Sequence, residues 1–145
     1  MDPIYRFEIR VTEAMLDANR HVNNVAFVQW MQEAAIRHAT ATGCTRATEA
    51  DGSTWVVRAH QIEYLSPAFD GDTIAVLTWV ANFRKVRSLR RYRFVRAAGL
   101  AVLAQGETDW VYVDARTGRP RAIPAEIQGL FQIVPDEPES PRRRK

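Results

Sequence analysis

The sequence contains a single cysteine, no long apolar run and no recognisable leader. Cys44 cannot form an intrachain disulfide, and it has no second thiolate with which to hold a zinc ion. A membrane-spanning helix needs a run of about 20 apolar residues, and no apolar stretch of this sequence approaches that length. Residues 1–10 also lack the basic and apolar regions of a secretory signal. We therefore expect a cytoplasmic protein without membrane contact.

Length and composition indicate one folded domain. The chain has 145 residues, of which 46% are hydrophobic and 26% are charged, as in ordinary soluble globular proteins. Residues 135–145, by contrast, contain no hydrophobic side chain that could join a core. We expect a single domain over residues 1–134, followed by a disordered polar tail.

Positive charge is concentrated in one segment. Residues 84–96 hold seven basic residues and no acidic one, although the net charge of the whole chain is only +3. Outside this segment 13 basic residues face 17 acidic ones, so the rest of the chain carries a charge of −4. Such a segment is expected to meet an anion, which could be a nucleic acid, a membrane surface or a small phosphorylated ligand.

The pattern of apolar residues predicts an α+β fold. Alternation predicts a strand over residues 4–12, and spacings of three and four predict a long apolar helix over residues 24–42 that Gly43 ends. Runs rich in β-branched and aromatic residues predict four further strands, at residues 54–65, 73–83, 88–97 and 100–113. Residues 45–53 have the composition of a polar connection, and residues 125–131 that of a short helical turn. Short connections favour an antiparallel sheet, and its uncovered face and edge favour a homo-oligomer.

The densest chemical cluster, residues 17–27, directly precedes the predicted helix. It combines the carboxylate of Asp17, the imidazole of His21 and three carboxamides. A helix N-terminus presents free N–H groups and a partial positive charge that can polarise a carbonyl. A neighbouring carboxylate can attack that carbonyl or activate a water molecule. The same residue types are also ordinary helix caps and turn formers, so residue types alone leave both interpretations open.

The order of residues in this cluster resembles the signature of the hotdog-fold acyl thioesterases, in the branch of the 4-hydroxybenzoyl-CoA and acyl-ACP thioesterases. That pattern reads Asp-x-x-(Gly)-His-Val-Asn-Asn-x-x-Tyr, and residues 17–27 read Asp-x-Asn-x-His-Val-Asn-Asn-x-x-Phe. Residues 62–72 and 111–124 are similar to the family's Tyr-x-x-Pro-Ala-x-x-Gly-Asp turn and to its last strand and exit. Arg20 stands where Gly is common, and Phe27 replaces Tyr, so no chemistry is assigned to Phe27.

The resemblance implies a hotdog fold, in which an antiparallel sheet of about five strands wraps around one long helix. It implies active sites at the interface of a homodimer or homotetramer, and hydrolysis of acyl-CoA thioesters without a cofactor. Asp17 would be the nucleophile or general base, and the N–H of Asn24 would donate to the thioester oxygen. Asn19 and His21 match polar positions that the acyl-ACP branch uses catalytically.

Coenzyme A would also supply the anion that the basic segment is expected to meet. Arg84, Lys85, Arg87 and Ser88 occupy a predicted hairpin, where cations could bind the phosphates of CoA. The phosphopantetheine of an acyl carrier protein would suit the same segment, so both donors stay open. Glu63 could help to position water across the site, although a solvent-facing glutamate is the commoner outcome in a strand.

Two other classes of protein are compatible with parts of this sequence. A hotdog-fold protein that binds a ligand or a partner without turnover would share the fold, because a fold does not fix a function. A nucleic-acid-binding module is disfavoured, since only two aromatic residues lie among the cations of residues 84–96. The three histidines have no metal-ligand spacing, so we expect no metal site.

Overall fold

The computed structural model describes residues 2–135 and contains five strands and one long helix. The strands are β1 (Tyr5–Arg10), β2 (Ser53–Tyr64), β3 (Thr73–Arg84), β4 (Arg87–Arg96) and β5 (Val102–Asp114). The helices are α1 (Asn24–Thr42), α2 (Cys44–Ala50) and α3 (Ala125–Gln128), and a single 3₁₀ turn spans Glu13–Met15. The predicted α+β class is confirmed, whereas the predicted tail lies outside the described residues from residue 136 onward.

All five strands form one antiparallel sheet in the order β1-β3-β4-β5-β2. The three central strands follow one another along the chain, while β1 and β2 lie at the two edges. An edge strand leaves a row of backbone N–H and C=O groups unpaired and open to another chain. Among residues 2–135, no helix is long and apolar enough to cross a membrane.

Helix α1 packs on one face of this sheet, which we call the inner face. Phe27, Trp30, Met31 and Ala34 are buried there among side chains of the strands. The ring of Phe27, for example, meets the ring of Phe94 on β4 edge-on, with 5.2 Å between centroids. The helix ends where it was expected to end, at Gly43 (φ +88°), because glycine adopts this left-handed conformation without strain.

The polar connection predicted over residues 45–53 is wrong, because most of it belongs to helix α2. Only a narrow side of this helix is buried, formed by Cys44 and Thr48 one turn apart. Thr48 also accepts a hydrogen bond from Nε1 of Trp55 on β2 at 3.1 Å. Two buried positions in a polar segment are too few to produce a helical period in the sequence.

A glycine on β5 makes room for the close approach of α1. A Cβ atom at Gly106 would lie 2.8 Å from the carbonyl oxygen of Gln61 and 3.3 Å from the side chain of Met31. The Gln61 oxygen belongs to the paired strand β2 and cannot move without disturbing the ladder. The small residue therefore lets sheet and helix pack together at this position.

We expect Gly106→Ala to lower the free energy of unfolding by about 1–3 kcal/mol, because the added methyl group overpacks the core. Gly129→Ala is the matched control, since a Cβ there meets its nearest neighbour at an ordinary 3.5 Å. Chemical denaturation of the three proteins at one protein concentration measures the difference. Equal unfolding midpoints for the two variants would show that the close approach at Gly106 is unimportant.

Candidate active site

The carboxylate of Asp17 is held by backbone groups of its own loop. Its Oδ1 accepts hydrogen bonds from the N–H groups of Asn19 at 2.9 Å and His21 at 3.1 Å. The Asp17 N–H in turn donates to the His21 carbonyl at 2.7 Å and closes the loop. Within residues 2–135, Oδ2 accepts no hydrogen bond. One carboxylate oxygen is thus fixed, and the other is available.

The backbone of this loop shows why glycine is common at one position of the thioesterase pattern. Arg20, which stands where the pattern commonly has Gly, adopts φ +65°, in the left-handed region. Its N–H donates to the carbonyl of Asp17 at 3.0 Å and stabilises the tight turn. Glycine reaches this conformation at the least cost, whereas arginine is held in it by the loop.

The start of α1 directly follows the loop that holds the Asp17 carboxylate. Asn23 caps the helix, with its Oδ1 accepting from the N–H of Val25 at 2.9 Å. The N–H of Asn24, the first helical residue, has no acceptor in the part of the chain that the structure describes. Because a helix N-terminus carries a partial positive charge, this N–H is suited to an external oxygen.

Asp17, His21 and Asn24 line one cavity of about 370 Å³, which brings three of the four predicted catalytic residues together. Tyr64, at the end of β2, forms part of the opposite wall. Its hydroxyl donates to the Asn24 carbonyl at 2.9 Å, and its ring meets the Phe27 ring edge-on. Partial burial raises the pKa of Tyr64, so the hydroxyl keeps its proton at neutral pH.

The remainder of that wall is fixed by an arginine of the basic segment. Nη2 of Arg96 donates to the Pro67 carbonyl at 2.7 Å, and Nε contacts the carboxylate of Asp72 at 3.1 Å. The next carbonyl, that of Ala68, accepts from the N–H of Val22 at 2.9 Å. Arg96 therefore supports the wall instead of facing a ligand.

This arrangement can polarise a carbonyl group and deliver an attack on it. The N–H of Asn24 can donate to a carbonyl oxygen, and Asp17, whose Oδ2 accepts no hydrogen bond from residues 2–135, lines the same cavity. No group of three or more His, Cys, Asp or Glu side chains is placed as metal ligands would be, within residues 2–135.

Two further predicted residues lie outside this cavity. Asn19 contributes its backbone N–H to Asp17, while the residue itself is exposed and absent from the cavity wall. Glu63 is also exposed and accepts a hydrogen bond from Nε2 of Gln105 at 3.0 Å. Since alternate side chains of a strand point to opposite faces, Glu63 and Tyr64 diverge. The predicted contact of Glu63 with substrate stays a prediction.

The predicted phosphate-binding residues lie around the turn between β3 and β4. Arg84 and Lys85 are exposed there and form no ion pair with residues 2–135. Arg87 makes two hydrogen bonds to the carboxylate of Asp109, at 3.2 and 2.7 Å. Ser88 is buried on the inner face. The four residues therefore do not form one cluster.

This turn is far from Asp17 within one copy of the chain. Thr73 begins β3 and pairs with Arg10, shortly before the Asp17 loop, whereas Arg84 ends the strand. At about 3.3 Å per residue, β3 separates the two ends by about 36 Å. Arg84 and Asp17 of the same copy therefore lie near opposite ends of the sheet.

Comparison with known proteins agrees with this geometry. Residues 11–131 match the family model described as the thioesterase-like superfamily. The chain belongs to this superfamily. Membership confirms the predicted hotdog-fold thioesterase family and the predicted enzyme class, a thioesterase.

Three similar proteins illustrate the relationship. The acyl-CoA thioester hydrolase YbgC of Escherichia coli is 28% identical over 132 residues, covering 89% of this chain and 96% of its own. The 1,4-dihydroxy-2-naphthoyl-CoA thioesterase Slr0204 of Synechocystis superposes with a TM-score of 0.78 at 18% identity, over 88% of this chain and 95% of its own. SAV2348 of Staphylococcus aureus, solved in complex with CoA, superposes with a TM-score of 0.78 at 16% identity. The superposition covers 88% of this chain and 80% of SAV2348.

Sequence reasoning missed two residues of this thioesterase-like site. Tyr64 belongs to the residue 62–72 motif, and Arg96 is one of the seven basic residues of residues 84–96. Neither role has a local signal, because Tyr64 bonds a residue 40 positions away and Arg96 one 29 positions away. Only the folded chain brings these partners together.

We expect Asn23→Ala to lower the free energy of unfolding by about 1 kcal/mol, because the Val25 N–H loses its cap. Asn23→Ser, which keeps a capping oxygen, should remain close to the wild type. Urea denaturation measures both. If the serine variant is destabilised as much as the alanine variant, the capping role assigned to Asn23 is wrong.

Proposed function

We propose that this thioesterase-like protein hydrolyses acyl-CoA thioesters to the free carboxylic acid and CoA, with Asp17 as the reacting carboxylate. The observation that carries the proposal is that Asp17 and Asn24 line one cavity, while within residues 2–135 neither Oδ2 of Asp17 nor the N–H of Asn24 has a hydrogen-bond partner. Similarity to proteins named acyl-CoA thioester hydrolase and 1,4-dihydroxy-2-naphthoyl-CoA thioesterase supports CoA as the carrier.

The start of α1 stabilises the charge that develops on the thioester oxygen. As the carbonyl carbon becomes tetrahedral, its oxygen gains negative charge and accepts a stronger hydrogen bond from the Asn24 N–H. The helix dipole acts in the same direction. Tyr64, whose hydroxyl donates to the Asn24 carbonyl, holds this first helical residue from its other side. These groups are in position before the substrate arrives, which lowers the cost of reorganisation.

Asp17 can act by either of two routes. As a general base it takes a proton from water, whose oxygen bonds the carbonyl carbon; the C–S bond then breaks and the thiolate takes up the proton. As a nucleophile its Oδ2 bonds the carbonyl carbon and releases the thiolate, and water hydrolyses the resulting anhydride. Both routes need the same free oxygen, oriented by the N–H groups of Asn19 and His21 on Oδ1.

We expect Asp17→Asn to reduce kcat/KM for thiol release by at least about 100-fold, because the amide neither takes a proton nor attacks a carbonyl. Asp70→Asn is the control, since Asp70 is exposed and does not line the cavity. Its rate should stay within about twofold of the wild type. Free thiol is followed with a colorimetric reagent, and circular dichroism checks that both variants fold.

Undiminished hydrolysis by the Asp17→Asn protein would overturn the catalytic assignment. The same assay separates the two donors: one acyl group is supplied on CoA and on an acyl carrier protein. Faster release from CoA is expected, and faster release from the carrier protein would move the proposal to the alternative donor.

The proposal includes a homodimer joined along β2. This strand has 12 residues, and within residues 2–135 it is paired on one side only, by β5. Two of its apolar or aromatic side chains are unusually exposed, Val56 at 44% and Tyr64 at 41%. A symmetric antiparallel pairing of two β2 strands would bond the free edge and lay Ser53 of one copy near Tyr64 of the other. Two such dimers could form the alternative tetramer.

In this dimer the turn between β3 and β4 of one copy, which carries Arg84 and Lys85, would lie beside the Asp17 cavity of the other copy. We call it the basic turn. Ser53 pairs with Asp114 on β5, and Val111 on β5 pairs with Arg87, so the basic turn lies at the Ser53 end of the sheet. That end meets the Tyr64 end of the second copy, which borders the Asp17 cavity. Arg84 and Lys85 are the cations there without an ion pair in the described chain, and they would bind CoA phosphates.

We expect the double substitution Arg84→Ala, Lys85→Ala to raise KM for acyl-CoA by about tenfold. A thioester of the same acyl group with N-acetylcysteamine lacks the phosphates, so its KM should not change. Arg6→Ala, which removes an exposed arginine from the other edge strand, is the matched control. Equal increases of KM for both thioesters would exclude a phosphate contact.

A further inference from the structure

A second cavity, about 340 Å³ in volume, lies between the second half of α1, helix α2 and the inner face of the sheet. We call it the α2 cavity. None of its lining residues lines the candidate active site. Its walls include the apolar side chains of Ala39, Trp55, Phe83 and Phe131. Its size and apolar character are typical of small-molecule sites, which begin at about 300 Å³.

One charged side chain, that of Arg90, is buried in the wall of the α2 cavity with only 5% exposure. Its Nη1 bonds Nδ1 of His38 at 2.9 Å and Oγ1 of Thr78 at 3.1 Å. Nε and Nη2 have no acceptor within residues 2–135. These two nitrogens form one side of the guanidinium and can bind both oxygens of a carboxylate.

The charge of Arg90 is not neutralised by the groups around it. Burial and the neighbouring guanidinium lower the pKa of His38 to about 4, so the imidazole is neutral at pH 7 and its Nδ1 accepts from Arg90. Burial raises the pKa of Tyr92 and of Cys44, so both keep their protons. Glu49, also in the lining, is exposed and forms no ion pair with Arg90.

A guanidinium without a counter-ion is costly inside a protein, because it has lost water without gaining an opposite charge. Arginine nevertheless remains protonated in proteins. A small anion alone would answer the charge of Arg90 but would leave the apolar walls of Ala39, Trp55, Phe83 and Phe131 uncovered. An occupant that satisfies both features has an anionic end and an apolar body.

We infer that the α2 cavity binds an apolar carboxylic acid of medium length. Its carboxylate accepts hydrogen bonds from Nε and Nη2 of Arg90, and its chain lies against the aromatic and aliphatic walls. The carboxylate replaces the counter-ion that the described part of the chain does not provide. The preference for a carboxylate over an uncharged head group is the measurable consequence.

Such a carboxylate has two chemical sources. One is a free acid, which requires nothing of the proposed function. The other is the distal carboxylate of an acyl group with two carboxyl ends, and this source rests on the proposed function. In the β2 dimer, Ser53 and Trp55, which line the α2 cavity of one copy, would lie beside the Tyr64 end of the other. The cavity would then receive the far end of an acyl group held at the partner's Asp17.

Isothermal titration of the wild-type protein with octanoate and with 1-octanol tests the inference directly. The two probes have the same chain length and differ in the charge of the head group. We expect octanoate to bind at least about tenfold more tightly, as a charge-assisted hydrogen-bonded pair requires. Equal affinities, or no binding of either probe, would overturn the inference.

Substitutions locate the binding. Arg90→Met should abolish the preference for octanoate and keep the binding of octanol, whereas Arg91→Met should change neither, because Arg91 lies on the opposite face and contacts Glu107. Ala39→Leu fills the cavity and should weaken both probes. Octanoate binding that is unchanged in Arg90→Met would contradict the inference. If Arg90→Met does not fold, the wild-type comparison of octanoate with octanol and the effect of Ala39→Leu still decide whether the α2 cavity binds a carboxylate.

Thiol release separates the two sources. Octanoyl-CoA is compared with octanedioyl-CoA, whose acyl chain ends in a second carboxylate. If octanedioyl-CoA is hydrolysed faster and Arg90→Met removes this difference, the acyl group is the source of the carboxylate. If the two thioesters react equally fast while octanoate still binds, the source is a free acid. Failure of the proposed function appears differently, as an absence of thiol release while titration still detects octanoate.

Discussion

The packing of α1 against the inner face of the sheet is the constraint on which the other features depend. Phe27 and Met31 are buried against the strands, and Gly106 leaves the space that this approach needs. Because the helix is held along its length, its first turn is fixed beside the Asp17 loop. Its second half forms one wall of the α2 cavity. One apolar helix thus positions both candidate sites.

The two cavities lie near opposite ends of this helix and have different chemistry. Asn24 borders the first and Ala39 the second, which at 1.5 Å per residue places them about 22 Å apart. The first cavity presents a free carboxylate oxygen and a free N–H, which suit a reaction at a carbonyl. The second presents apolar walls and the buried guanidinium of Arg90, which suit binding. A dimer along β2 is the arrangement that would bring the two together.

The cations of residues 84–96 have different surroundings in the folded chain. Alternation along β4 and the turn before it distribute its cations over both faces and both ends of the sheet. Arg84 is exposed, Arg87 is bound to Asp109, Arg90 is buried, and Arg96 supports the wall of the Asp17 cavity. The net charge of a segment therefore indicated an anionic partner without indicating which cations can meet it.

The sequence by itself determined the α+β class, all five strands to within two residues at each end, the long helix and its stop at Gly43, and the loop that holds Asp17, His21 and Asn24. These features follow from local periods and from residues within one turn of each other. Helix α2, the bond from Tyr64 to Asn24 and the burial of Arg90 without a carboxylate partner in residues 2–135 were decided by the tertiary structure alone. Each depends on which distant residues meet, and neither composition nor spacing records strand register or the partners of a buried charge.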